Sequence, residues 1–122
     1  MPKILVVEDE VDIAKVLLKR LSDAGFETQF ANDAYLAVRL THEFKPDLII
    51  LDLMLPSGGG LSVLKNIRLV SSTSFIPVVV LTGIKDEEYK KKVMAEGVDE
   101  YMEKPYDHNS LLSVINKLLK KQ

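Results

Sequence analysis

A chain of 122 residues is the size of one ordinary domain and can bury about two thirds of the surface its unfolded form exposes, so it needs no disulfide or metal staple to fold. Hydrophobic residues make up 47% and charged residues 28%, and a formal net charge of −2 leaves no excess of basic groups to neutralise nucleic acid phosphates. There is no cysteine, no apolar run approaching the roughly 18 residues of a membrane span, and no charged-then-apolar leader with a cleavage site; the expectation is a soluble cytoplasmic protein contacting neither membrane nor nucleic acid.

The first predicted element, β1, is the aliphatic run Ile4 to Val7, too short for a stable helix and rich in β-branched residues. Ile13, Leu17 and Leu21, widened by Ala14 and Leu18, then form a stripe at helical spacing, which predicts a helix α1 of about 12 to 14 residues before the stop signal Gly25. Glu27 to Ala31 (ETQFA) reads as a more polar strand, β2, and residues 33 to 43 as a helix, α2. Leu48 to Leu51 is a continuous apolar strand, β3, followed by a weakly striped helix, α3, over residues 60 to 69. Val78 to Leu81 gives β4, residues 86 to 96 give α4 with Gly97 as its cap, and Glu100 to Glu103 (EYME) gives β5. Leu111, Leu112, Ile115, Leu118 and Leu119 mark a final amphipathic helix, α5, with lysines at its C-terminal end.

Five alternating strand and helix units over residues 1–122 predict one α/β domain: a (βα)5 doubly wound parallel sheet with helices on both faces. Continuous apolar strands belong inside such a sheet and polar ones at its edges. With β2 and β5 as edges, the flavodoxin-like order 2-1-3-4-5 fits, and open sheets of this kind bind ligands outside the C-terminal strand ends.

Those ends carry chemistry. β1 runs into Glu8 and Asp9, β3 into Asp52, β4 into Thr82, and β5 into Lys104 and Pro105. Neighbouring strands lie roughly 5 Å apart, and two charges at about that distance repel by about 3 kcal/mol at an effective dielectric of about 20. Such a cluster needs a cation, and an all-oxygen set suits magnesium, which keeps coordination positions for water and phosphate. Three carboxylates, one divalent ion and the Lys104 ammonium sum to zero, and Lys104 and the Thr82 hydroxyl are donors suited to phosphoryl oxygens.

Glu8-Asp9, Asp52 in ILDLMLP, Thr82 in VVLTG and Lys104-Pro105 in GVDEYMEKPY together resemble the receiver (CheY-like) domains of two-component response regulators, over essentially the whole chain. The resemblance implies that Asp52 is the phosphoacceptor, that Asp9 is the direct magnesium ligand with Glu8 a mostly water-mediated partner and the Met54 backbone carbonyl a further ligand, and that Thr82 and Lys104 hold phosphoryl oxygens. It also implies a cis Lys104-Pro105 bond and an aromatic switch at Tyr101 that follows Thr82. The domain it describes is no conventional enzyme but catalyses its own phosphorylation and dephosphorylation. It takes phosphate from a sensor histidine kinase or a histidine phosphotransfer protein and signals to a downstream protein effector through its α4-β5-α5 face, with homodimerisation through that face open. Met54 and Ile84, at the positions that tune phosphate lifetime in the family, have no group to orient an attacking water, which predicts slow self-dephosphorylation.

Singly, each residue has a plainer reading: Asp52 as a turn or cap residue, Glu8 and Asp9 as helix N-terminal charges, Thr82 as a strand residue, Lys104 as solvated. Their convergence favours the joint reading. Gly58 to Gly60 do not form a phosphate-binding motif and read as a flexible β3-α3 loop, with Gly59 where relatives often have an aspartate. Lys90 to Lys92 read as a solvated helix face, and His42 and His108 receive no role.

Three rivals have discriminators. A haloacid-dehalogenase-type phosphatase would place a second aspartate where Met54 stands, a flavodoxin would carry a hydroxyl-rich loop in place of EDEVD, and an interaction module without phosphotransfer would lack the acceptor set. SVINKLL in the last helix lacks the arginines common in receivers joined to winged-helix modules, which leans towards a stand-alone regulator.

Overall fold

The computed structural model describes residues 1–55 and 59–120. Strands and helices alternate in the order β1 (Lys3–Val7), α1 (Val11–Asp23), β2 (Glu27–Ala31), α2 (Ala34–Glu43), β3 (Leu48–Asp52), α3 (Gly59–Leu69), β4 (Val78–Thr82), α4 (Glu87–Ala95), β5 (Glu100–Glu103) and α5 (His108–Lys120). The strands form one sheet in the order β2-β1-β3-β4-β5, and every pairing is parallel.

The two-residue period of a strand divides the core in two. Leu5, Val7, Ile49, Leu51, Val78 and Val80 point to one face, where Ala37 of α2, Val63, Leu64 and Ile67 of α3 and Val93 of α4 cover them. Ile4, Val6, Leu48, Ile50, Val79 and Leu81 point to the other, beneath Leu17 and Leu21 of α1 and Leu111 and Ile115 of α5. Burial on both faces explains why β3 and β4 are apolar throughout and fully buried, while the edge strands β2 and β5 keep polar residues and remain partly exposed. Gly25 and Gly97 have φ of 96° and 91°, the left-handed conformation that ends α1 and α4.

Two features differ from the sequence-based expectation or go beyond it. Gly59 and Gly60 are not loop but the buried first residues of α3; Gly58 lies outside the described residues. The reason is a close approach: a Cβ on Gly60 would lie 2.6 Å from Leu53 Cα, so only glycine lets α3 cross directly over the segment that follows Asp52. The second is a hub at Arg68, near the end of α3. Its guanidinium donates to the carbonyls of Gly97 (2.8 Å), Ser74 (3.1 Å) and Ile76 (2.7 Å) and to Asp99 Oδ2 (3.0 Å), which also accepts from the Val78 amide (2.8 Å). It pins the turn between α4 and β5 to the start of β4.

In an exposed helix, glycine to alanine stabilises by up to about 1 kcal/mol. Here the sign reverses: Gly60→Ala is expected to lower stability by about 1–3 kcal/mol through overpacking against Leu53, read as a reduced urea midpoint at unchanged slope. A midpoint that rises contradicts the close approach.

Candidate phosphoacceptor site

Register brings the site together. Val7 pairs with Leu51, so Glu8 leaves β1 beside Asp52, and Asp52 pairs with Leu81 one residue before Thr82. Thr82 pairs with Glu103, and its carbonyl accepts from the Lys104 amide at 2.8 Å, which sets the lysine at the same end of the sheet. The Lys104-Pro105 bond is cis. β3 and β4 each run one residue further than their apolar runs, so Asp52 and Thr82 are held within the sheet itself.

Asp52 is only 4% exposed and Glu8 6%, yet both are acids. Lys104 Nζ lies 2.6 Å from Asp52 Oδ2 and 3.4 Å from Glu8 Oε1, and the other Asp52 oxygen accepts from the Met54 amide at 2.8 Å. Burial pushes the Glu8 carboxyl up from 4.5 to about 7, and the adjacent Asp52 adds to the shift, while the Glu10 amide and Lys104 oppose it. Burial alone would lower the Lys104 ammonium, but the hydrogen bond and charge of Asp52, helped by Glu8, outweigh it and leave its pKa raised.

The remaining predicted residues surround this trio with different engagements. Thr82 is fully buried, and its Oγ1 accepts from the Ile84 amide at 2.9 Å, so the hydroxyl faces the β4-α4 loop. Asp9 is half-buried, and among the described residues its carboxylate stands outside the hydrogen-bonded network. Among the described residues no three acidic or imidazole side chains form a ready metal-ligand set, and Lys104 bridges Glu8 and Asp52. The donors nevertheless fit a hard divalent cation: they are all oxygen, and a cation beside Glu8 would offset the burial and the Asp52 charge that hold its carboxyl up. A cavity of about 440 Å³ adjoins the trio, with Glu8 and Lys104 at its head and Ile13, Leu17 and Tyr106 along its wall. His42 is exposed at the end of α2, and His108 opens α5 with a buried Nδ1 that has no partner among the described residues; neither joins the site.

Sequence reasoning missed Lys90. The expected solvated face holds for Lys91 and Lys92, which are exposed, but Lys90 is half-buried with its Nζ 5.1 Å from the centroid of the Tyr101 ring. Lys90 lies on α4 and Tyr101 on β5, eleven positions apart, so no local periodicity could have paired them.

Because Glu8 binds its proton more tightly folded than unfolded, it costs no stability below about pH 4.5, where both states are protonated. The cost then grows as pH rises to about 7 and is constant beyond. In chelator, wild type is therefore expected to lose stability relative to Glu8→Gln between pH 5 and pH 7.5, measured by urea unfolding; parallel pH profiles contradict the assignment.

The model of the response regulator receiver domain family matches residues 4–116. The phosphate regulon transcriptional regulatory protein PhoB of Escherichia coli K12 is 38% identical over 119 residues, 98% of this chain and 52% of that protein. The DNA-binding dual master transcriptional regulator RpaA of Synechocystis is 35% identical over 121 residues, 99% of this chain and 50% of that protein. The chain thus spans about half the length of the curated relatives it matches. Among solved structures, the receiver domain of Francisella response regulator 1452 superposes with a TM-score of 0.89 at 30% identity, covering 99% of this chain and 98% of that one. The receiver domain of a Syntrophus aciditrophicus signal transduction histidine kinase gives 0.92 at 29% identity, covering 99% and 92%. With its five-stranded parallel sheet in 2-1-3-4-5 order and acidic strand ends, the chain belongs to the receiver-domain family of two-component response regulators.

Proposed function

We propose that Asp52 accepts a phosphoryl group from a phosphohistidine on a sensor histidine kinase or histidine phosphotransfer protein, and that the modification alters the α4-β5-α5 surface read by a downstream protein. The observation that carries this reading is the Asp52 carboxylate: nine-tenths hidden, yet ionically paired to Lys104 at 2.6 Å at the C-terminal end of a central strand.

An Asp52 oxygen attacks phosphorus, the P–N bond to the donor histidine breaks, and its electron pair stays on the imidazole nitrogen. The strand fixes the carboxylate's line of approach, the Met54 amide orients it, and Lys104 moves from the carboxylate to an incoming phosphoryl oxygen. Thr82 exchanges its Ile84 amide contact for another phosphoryl oxygen, which frees the β4-α4 loop and opens space for Tyr101 to rotate. Asp9, Asp52 and the Met54 carbonyl, with Glu8 through water, would hold Mg²⁺, which when bound disperses negative charge over the transferring group. Self-dephosphorylation reverses the bond at the aspartyl oxygen: water attacks phosphorus and Asp52 leaves as carboxylate. The domain in this sense catalyses its own phosphorylation and dephosphorylation and turns over no separate substrate.

The phosphorylated domain acts in the cytoplasm, where such kinases expose their phosphohistidine. No helix among the described residues is long and apolar enough to cross a membrane, and the charge of −2 supports a protein rather than a nucleic acid as the contact of this domain. The transcriptional roles named for PhoB and RpaA belong to proteins twice this length.

Incubation with Mg²⁺ and acetyl phosphate is expected to add one phosphoryl mass that Asp52→Asn loses; an unmodified wild type, or a modified variant, overturns the reading. Met54 is half-exposed at the mouth and Ile84 packs against the core, and both are apolar. Met54→Asn with Ile84→Glu should therefore shorten the phosphoform lifetime by about tenfold or more, the low end of what a water-positioning group contributes. An unchanged lifetime contradicts the slow hydrolysis expected of the natural pair.

A further inference from the structure

α4 is attached to the sheet unevenly. Its C-terminal end is held by Arg68, which binds the Gly97 carbonyl and Asp99, and Val93 is its one fully buried side chain. Its first turn is capped by Asp86 from within, a local contact that does not reach the sheet. The N-terminal half meets β5 through an exposed Lys85–Glu103 ion pair at 3.7 Å just before the helix and through the Tyr101 ring, which, like Ile84 and Tyr89, packs against the core and lies beneath the Lys90 ammonium at 5.1 Å. Among the described residues Lys90 pairs with no carboxylate, whereas its neighbour Lys91 pairs with Glu88 at 3.5 Å. The ammonium of this half-buried lysine, set over the ring of a half-buried tyrosine on an edge strand, makes a cation–π contact that favours one position of that ring.

We propose that Lys90 is a positioning residue for Tyr101: its ammonium holds the ring against α4 in the conformer where Lys104 rests on Asp52 and Thr82 on the Ile84 amide, and thereby sets how readily phosphorylation turns the ring. This rests on the reading of Tyr101 as the switch. A contact made only in the resting conformer must be given up when the ring moves, so Lys90 opposes the switch by its own contribution. Arginine preserves a cation over the ring, and methionine keeps the apolar stem while removing the charge.

The test is a beryllofluoride titration in Mg²⁺ on protein labelled with 3-fluorotyrosine, with the Tyr101 resonance assigned by its loss in Tyr101→Leu. Lys90→Met is expected to bind beryllofluoride about two- to fivefold more tightly, which corresponds to about 0.5–1 kcal/mol, and to shift the fluorine resonance of Tyr101 in the free protein. Lys90→Arg should keep the wild-type affinity and shift, and Lys90→Met in a Tyr101→Leu background should add nothing. Unchanged affinity in Lys90→Met overturns the proposal; if Tyr101→Leu alone still alters affinity, the switch reading survives it. An affinity unaffected by Tyr101→Leu removes the switch and the proposal with it. Equal gains from Lys90→Met with and without the Tyr101 ring would show a general charge effect and overturn the proposal as well.

Discussion

Two carboxylates buried side by side cannot both remain ionised unless a cation reaches them, and among the described residues the ammonium of Lys104, between Glu8 and Asp52, does so. Burial, with the neighbouring Asp52 adding to it, still holds the Glu8 carboxyl up at about 7. In the proposed transfer, the ammonium that stabilises the resting carboxylate is also the donor that meets the incoming phosphoryl group, so the resting pair and the transfer draw on the same contact.

The rest of the architecture serves to hold that contact. Because β1 and β3 are neighbours in register, Glu8 and Asp52 meet although 44 positions separate them, and because β5 lies next to β4, the Thr82 carbonyl ties down the backbone of Lys104. Gly60 allows α3 to lie close over Leu53, and the cores on the two sheet faces fix the strands that carry the charges. The α4 side is looser by comparison, with α4 burying Val93 alone and depending on Arg68 at one end and on the Lys90–Tyr101 contact and the exposed Lys85–Glu103 pair at the other. An element so lightly attached can move for a few kcal/mol, while the sheet beneath it cannot.

Much of this was legible in the sequence because the signals were local. Short aliphatic runs and helical stripes placed the five strands and five helices, the polarity of ETQFA and EYME marked the edges, and acids, a threonine and a lysine at the ends of β1, β3, β4 and β5 marked the candidate site. What escaped depends on tertiary geometry. Gly60 looks like a loop residue until the backbone of Leu53 is seen beneath it, Lys90 is one of three identical lysines until the ring of Tyr101 singles it out, and Arg68 and Asp99 give no hint of each other across 31 positions. Nor does residue type reveal that the Thr82 hydroxyl rests on the Ile84 amide rather than pointing at Asp52.

A crystal structure in Mg²⁺ and beryllofluoride tests the central claim most directly. The account predicts beryllium bonded to an oxygen of Asp52, with Lys104 Nζ shifted from the carboxylate to a fluorine and the Thr82 hydroxyl on another. Beryllofluoride bound elsewhere, or Lys104 still seated on the Asp52 carboxylate with the mimic in place, would contradict it.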